Sequence, residues 1–490
     1  MATRRPQRPT VSLALFLAGV VAVMVPLRLL FLGEPAGSDE AGFLIVGSSW
    51  HDGSSLYGDY WVDRPPLLIW IMELAGSVTA LRLLGLAACV LMVLGVSRAA
   101  FLASGERAAR WSAAAAALFS TAHWFGVPRT NGEMLASAFV AWGFALAVQA
   151  LVRPGARAWL PATGAGLAAA CAVLVKQTIA DGLVFILVLA LVTGWQRAQL
   201  RKHALRVLAW CAAGLAAGLA AALSAASARG TTVPALFDAL VTFRADAGEV
   251  IRTSASDATT DRLVVLLATW AAGGLAVVAV LALWHGLRRR EPVLLAALAV
   301  IVFVSAAALL GGSYWAHYLF QLVPASALAV GLVVDDVRHR LRVVLTTAVV
   351  VLTAANLVWS LVSPPHVGMD ARTVGTWLRD SGQPSDTAVV AYGQPNVLAA
   401  ARMASPYPYL WSLPVRTLDP DLALMTRVLS GPERPTWFVD WSGVRSWGID
   451  PSALEPVLER DYRKVAEICG RAIWLVRGAP RALPRAGACA

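Results

Sequence analysis

Asp39 and Glu40 follow Gly37-Ser38 at the end of the first long apolar run, and Asp59, Asp63 and Arg64 belong to the same polar, aromatic stretch, residues 37–70. A carboxylate held at a membrane surface can take a proton from a hydroxyl as general base. Asp39 is the candidate for that task. A second reading makes Ser38 or Asp39 a helix cap, with Glu40 in the first turn. Asp63-Arg64 sets a carboxylate beside a planar donor that grips two phosphate oxygens at once. Asp63 would then assist through the arginine or through a metal. The same pair also reads as an interfacial salt bridge or a snorkelling arginine. His51 and Asp52 fit a divalent-metal shell only with partners from elsewhere, and read better as exposed loop decoration. No cofactor is assigned, and a divalent metal is left open.

Three later positions carry similar chemistry. Arg129, Asn131 and Glu133 stand at the mouth of one apolar segment, where an acid entering the helix needs a polar cleft or a partner. Lys176-Gln177 turns between two more, with Asp181 one turn on; these residues either position an anion or pair across the hairpin. In SYWAHYLFQLVP, Tyr314 with Tyr318 and His317 with Gln321 are spaced four apart, so a helix there puts each pair on one face. An aromatic belt accounts for the tyrosines without a ligand. Pro324 is expected to kink that helix.

The elements that must position these residues are membrane helices. The 490 residues are 58% hydrophobic and 14% charged, too apolar for a soluble chain of this length. Apolar segments near 10–32, 78–97, 111–127, 132–151, 159–175, 178–194, 205–225, 262–284, 292–310, 316–334 and 341–360 predict about eleven spans. Alternation puts Arg98, Arg107, Arg110, Arg153, Arg157, Arg197, Arg201, Lys202, Arg206, Arg288, Arg289, Arg290, Arg338, Arg340 and Arg342 on the side of Arg4, Arg5 and Arg8. By the positive-inside rule that side is cytoplasmic. The net charge of +11 thus answers to anionic lipid and not to nucleic acid. The stretch 33–77, the turns near 128–131 and 176–177, loop 226–261 and the C-terminal residues then share the outer side. Glu40–Ser49 and Pro66–Leu74 read as short amphipathic helices along the interface, the second opened by the stiff corner Arg64-Pro65-Pro66.

The sequence divides into a membrane domain, 1–361, and an outer α/β domain, 362–490, opened by the Ser363-Pro364-Pro365 break. In that tail ARTVGTWLRDSG, PNVLAAARM and SALEPVLERDYRKV predict helices, and TAVVAYG, RPTWFVDWSG and AIWLVRG strands, the alternation of a small α/β domain. Cys89, Cys171 and Cys211 fall inside apolar spans as small hydrophobes. Cys469 and Cys489 lie in the tail, paired or free.

The ordered set DE, YGDYWVDRPPLLIW, PRTNGEMLA, VLVKQT and HYLFQLVP, spread over residues 10–334, resembles the GT-C membrane glycosyltransferases of the protein-mannosyltransferase and lipid-A aminoarabinose-transferase superfamily. The resemblance implies a polytopic α-helical enzyme that takes a sugar from a polyprenyl-phosphate carrier and passes it, with anomeric inversion, to an acceptor on the noncytoplasmic face. It implies Asp39 as base and Arg64 as the carrier-phosphate residue. Arginine stands where the family commonly has lysine, and Asp63 where glutamate is common. Glu133 is not assigned the base. Glu40, Asp59, Asp63, Arg129, Glu133, Lys176, Tyr314, His317, Tyr318 and Gln321 are expected to bind substrate.

The partners expected are the lipid-linked sugar, a glycan, lipid or protein acceptor, and membrane lipids, in a bacterial cytoplasmic membrane. The rival is a polyprenyl-linked lipid or glycan transporter or flippase, which would place charges near midspan and repeat its span pattern. A binding or scaffold protein is the third reading.

Overall fold

The computed structural model describes residues 10–490 apart from 52–54, 127–128, 153–156, 254–256, 363–367, 447, 486 and 490. The His51 side chain and Asp52, the N-terminal arginines, Arg153 and the Ser363-Pro364-Pro365 break lie outside the described residues. The chain forms two compact units. One comprises residues 1–33, 82–223 and 256–364; the other comprises 34–81, 224–255 and 365–490.

The first unit is helical. Among the described residues, seven helices are long and apolar enough to cross a bilayer: Val11–Leu29, Val78–Ser104, Gly132–Val152, Ala198–Ala228, Pro292–Leu310, Ala316–Asp336 and His339–Val362. An eighth crossing is made if Ala258–Ala272 and Leu275–Arg289, bent by 61° at Gly273-Gly274, count as one. The chain is therefore a multi-pass membrane protein. Leu15, Leu310 and Val362 stay well exposed on these helices, as side chains that meet lipid must. The expected segments 111–127, 159–175 and 178–194 are helices of 16, 17 and 16 residues, Glu106–Thr121, Trp159–Val175 and Asp181–Gln196. At ~1.5 Å per residue they reach only ~24–26 Å, short of a ~30 Å hydrocarbon core. The Ala-rich faces of the first two bring them close to neighbours, Trp159–Val175 against Gly132–Val152 above all.

One expected helix changes type. Ala316–Leu322 is a 3-10 turn, and Tyr314 precedes it in the left-handed region (φ 53°). With about three residues per turn, positions four apart no longer share a face. His317 and Gln321 therefore take different partners, and Tyr314 is not on the helix of Tyr318. Pro324 occupies the first turn of Val323–Val333, where it starts the α-helix instead of kinking it.

The second unit gathers the first polar stretch, the 224–255 segment and the C-terminal residues. Ser38–His51 packs on Pro66–Ala75, with Trp50 stacked on Trp70 at 5.6 Å. Four strands, β1 (Ala388–Ala391), β2 (Trp437–Asp440), β3 (Tyr462–Ile468) and β4 (Arg471–Val476), form a sheet in the order β1-β2-β4-β3. β1 and β2 run parallel; the other pairs are antiparallel. Phe438, Tyr407, Leu422, Met425, Leu429 and Tyr462 fill its core.

The helix expected over SALEPVLERDYRKV stops at Asp461, and the residues from Tyr462 onward form β3. The charged periodicity of that run suits either state, but Tyr462 is fully buried with its hydroxyl donated to Pro435 O at 2.9 Å. Cys469-Gly470, both at positive φ, make the two-residue turn into β4. Cys469 is bonded to Cys489, 20 residues on.

Candidate active site

The second unit brings the acids of the first loop to one helix end. Gly37 N donates to Glu40 Oε2 at 3.0 Å, and Ala41 N to Gly37 O at 3.0 Å. Glu40 is thus spent on closing the first turn of Ser38–His51. Asp39 is not spent that way. It lies in the same turn, where the unpaired amides favour an anion, and its Oδ1 accepts the indole N–H of Trp411 at 3.1 Å. The indole lies against Phe43, ring centroids 5.1 Å apart. A Cβ on Gly42 would collide with that indole, so only glycine admits it there.

Arg64 reaches the same helix face. Its guanidinium stands over the Phe43 ring at 5.4 Å, and Phe43 is one turn beyond Asp39. Pro65 is extended and Pro66 opens the next helix, so the two prolines hold the backbone that follows. Arg64 pairs with Asp63 at 2.6 Å, the side chains 17% and 13% exposed. At that burial the pair is not a loose surface bridge. The other Asp63 oxygen holds Arg244. One carboxylate thus holds two guanidinium groups. Tyr57 donates to Arg64 O at 3.0 Å. Burial, with Asp63 adding, pushes its phenol up, so it stays a neutral donor. Asp59 is exposed and accepts a 3.3 Å bond from Ser49.

The wider loop is pinned from 224–255 and the tail. Arg229 pairs with Glu73 at 2.7 Å, covers Trp50 at 4.4 Å and donates to Trp50 O. Leu56 N donates to Thr231 Oγ1 at 3.1 Å. Trp61 meets Phe243 edge-on at 4.5 Å, and its backbone N–H donates to Pro408 O at 3.1 Å. Sequence reasoning missed Arg244 and Trp411. The first sits in FRADAGEV, an ordinary amphipathic run, and the second in the aromatic, proline-rich run SPYPYLW, which carries no chemical signature of its own.

The first unit collects the remaining candidates. Asn131 Oδ1 accepts Met134 N at 3.0 Å and so caps Gly132–Val152. Lys176 Nζ bonds Glu133 Oε1 at 2.5 Å and stands 4.4 Å over the Tyr318 ring. The pairing of Lys176 with Asp181 considered for the hairpin is replaced: Asp181 takes both its bonds from Gln321 Nε2, at 3.0 Å each. His317 lies edge-on to Tyr318 at 4.9 Å and close to Gly126, where a Cβ would come within 2.5 Å of it. Arg129 N donates to Gly126 O in the same turn. Glu133, Lys176, Tyr318, His317 and Arg129 therefore share one end of this unit, and Tyr314 lies just before it in a left-handed turn.

Among the described residues, one group offers three metal-ligand atoms within 4.8 Å of each other: Asp370, Cys469 and Cys489. The two sulfurs are bonded to one another. A divalent ion fits there only once they are thiolates.

No protein-family model and no curated protein sequence matches this chain. Solved structures do. ArnT from Cupriavidus metallidurans, bound to undecaprenyl phosphate, superposes with a TM-score of 0.64 over 94% of this chain and 97% of its own, at 16% identity. This chain has the GT-C fold. The archaeal oligosaccharyltransferase AglB from Archaeoglobus fulgidus, in complex with an inhibitory peptide and a dolichol-phosphate, shares it at a TM-score of 0.58 and 12% identity, over 88% of this chain and 69% of its own. The GT-C fold thus spans both compact units.

Proposed function

We propose that this chain is an inverting glycosyltransferase that moves a sugar from a polyprenyl-phosphate carrier to a cell-envelope acceptor. The observation that carries the reading is the pair of arginines, Arg64 and Arg244, held on Asp63 beside the helix face that presents Asp39. Two guanidinium groups meeting on one carboxylate bring together the planar donors that grip phosphate oxygens, and Asp63 holds both in place. The fold supports it, since ArnT and AglB of the same fold were solved holding undecaprenyl phosphate and dolichol-phosphate.

In the proposed step the acceptor hydroxyl gives its proton to Asp39 as its oxygen bonds the anomeric carbon. The bond from that carbon to phosphate oxygen breaks on the opposite face, which inverts the centre. Polyprenyl phosphate leaves with the bonding electrons, its charge held by Arg64 and Arg244. Trp411 orients the base. In the first unit Lys176, His317 and Tyr318 are read as groups for a substrate anion or hydroxyl, with Glu133 fixing Lys176, Gln321 fixing Asp181, and Arg129 and Tyr314 in supporting places.

We read the three short helices as further crossings, which brings the spans to eleven, with the catalytic loop and the tail extracytoplasmic. The membrane domain, 1–361, then carries the loop 33–77 outside, and 362–490 forms the outer domain.

The test is release of free polyprenyl phosphate from a panel of polyprenyl-phosphate sugars, using the purified full chain and envelope extracts as acceptor. Release with one donor is expected. Movement of the intact lipid-linked sugar across vesicles without release would favour the flippase reading instead.

A further inference from the structure

A cleft lies within the first unit, away from its Glu133–Lys176 group. It measures about 910 Å³ and lies between the helices Val11–Leu29, Glu106–Thr121 and His339–Val362. Its lining includes Arg107, Arg110 and Trp111 on one helix and Arg342, Val343 and Thr346 on another, each set at helical spacing. The charged members come from the first turns of both helices, and the apolar and hydroxyl members lie deeper, with Phe16 from the first span. At ~1.5 Å per residue the helix Glu106–Thr121 is ~24 Å long. Its far end leads through His123–Phe125 to Gly126, beside His317. The cleft and the Glu133–Lys176 group are therefore at opposite ends of this unit.

The charge in the cleft is only partly answered. Arg107 meets Asp335 at 2.8 Å and Arg342 meets the same oxygen at 3.7 Å. Arg110 stands 3.6 Å from Glu106, which also accepts Thr10 N at 2.9 Å, and donates to Ser12 Oγ at 2.9 Å. Three guanidinium groups thus share two carboxylates. The Nε of Arg110 is buried without a hydrogen-bond acceptor among the described residues. An anion at this rim would answer the surplus of guanidinium groups.

We propose that this cleft is a binding site for an anionic phospholipid of the bilayer, its phosphodiester held by Arg110 and Arg342 and one acyl chain lying along Phe16, Trp111 and Val343. Two walls of the cleft are membrane spans, so an occupant that is charged at one end and apolar at the other matches the gradient of the lining. Anionic lipid is also what a basic rim on the proposed cytoplasmic side attracts. The site is independent of the sugar-transfer reading, since it uses none of the residues assigned there.

The full chain, purified and exchanged into detergent, is titrated separately with phosphatidylglycerol, phosphatidylcholine, undecaprenyl phosphate and inorganic phosphate, following bound lipid by native mass spectrometry and unfolding by thermal scan. Phosphatidylglycerol should bind about tenfold more tightly than phosphatidylcholine, and R110Q/R342Q should lose that preference while melting unchanged in phosphatidylcholine. If the double variant fails to fold, R342Q alone should still cut the preference severalfold. Equal retention of the two phospholipids by the parent chain would overturn the proposal. So would a preference unchanged in the variant, stabilisation by inorganic phosphate equal to that by lipid, or displacement of phosphatidylglycerol by undecaprenyl phosphate at equal concentration.

Discussion

Trp411 donates its indole N–H to Asp39 across 372 residues of sequence, at 3.1 Å. The tail therefore supplies the contact that orients the first-loop carboxylate, and the ring that makes it is seated on Phe43 and admitted by Gly42. Trp411→Phe keeps the aromatic packing and removes only the donor. It should lower kcat about tenfold, the worth of one hydrogen bond to a charged group, and leave KM for the carrier nearly unchanged. Steady-state kinetics with a lipid-linked sugar checks this. A rise in KM at constant kcat would make Trp411 a substrate contact instead.

Arg64 and Arg244 share Asp63, so their substitutions should not add. Each change to alanine is expected to weaken binding of polyprenyl phosphate by about tenfold to a hundredfold, because a charge-assisted contact is lost. The double variant should lose less than the product of the two, since the pair acts on one anion through one carboxylate. Equilibrium binding of a labelled carrier to the four proteins measures the coupling.

Acid should loosen the tail through Asp386. Burial alone raises this carboxyl, but bonds from Arg481, the Gln383 amide and Trp437 outweigh it and hold the group below the usual carboxylate range. A folded value below the unfolded one stabilises the fold above the ordinary value, ~3.9, and that stabilisation is lost as pH falls through the folded value. Thermal scans should show the loss setting in below about pH 4. Asp386→Ala leaves Arg481 without its partner and should cost about 3 kcal/mol at neutral pH, with a flatter acid limb. An acid limb identical to the parent's would remove Asp386 from this role.

Much of the proposed site can be drawn from the sequence because its residues are local. Asp39, Asp63 and Arg64 stand in one polar stretch, and the helices around them announce themselves by a Gly-Ser start and a double proline. Arg244 and Trp411 carry no such signal, since what marks them is distance in space and not in sequence. The tail's first helix and three of its strands follow from simple alternation. β3 does not, because YRKVAEI has the charges of an exposed helix and becomes a strand only by pairing with β4. Of the two readings for Lys176 and Asp181, the pairing across the hairpin fails for a related reason. Residues five apart in a turn look like a pair, but each side chain finds a better one on another helix, Glu133 for the lysine and Gln321 for the aspartate.

The central claim is that Asp39 takes the acceptor's proton, and Asp39→Asn isolates it, because the amide keeps the shape and loses the base. In one preparation, labelled polyprenyl phosphate binding and sugar turnover are measured side by side. Carrier affinity should stay within about twofold of the parent while turnover falls by ~10²-fold or more. Turnover equal to the parent's, with binding intact, would contradict the claim.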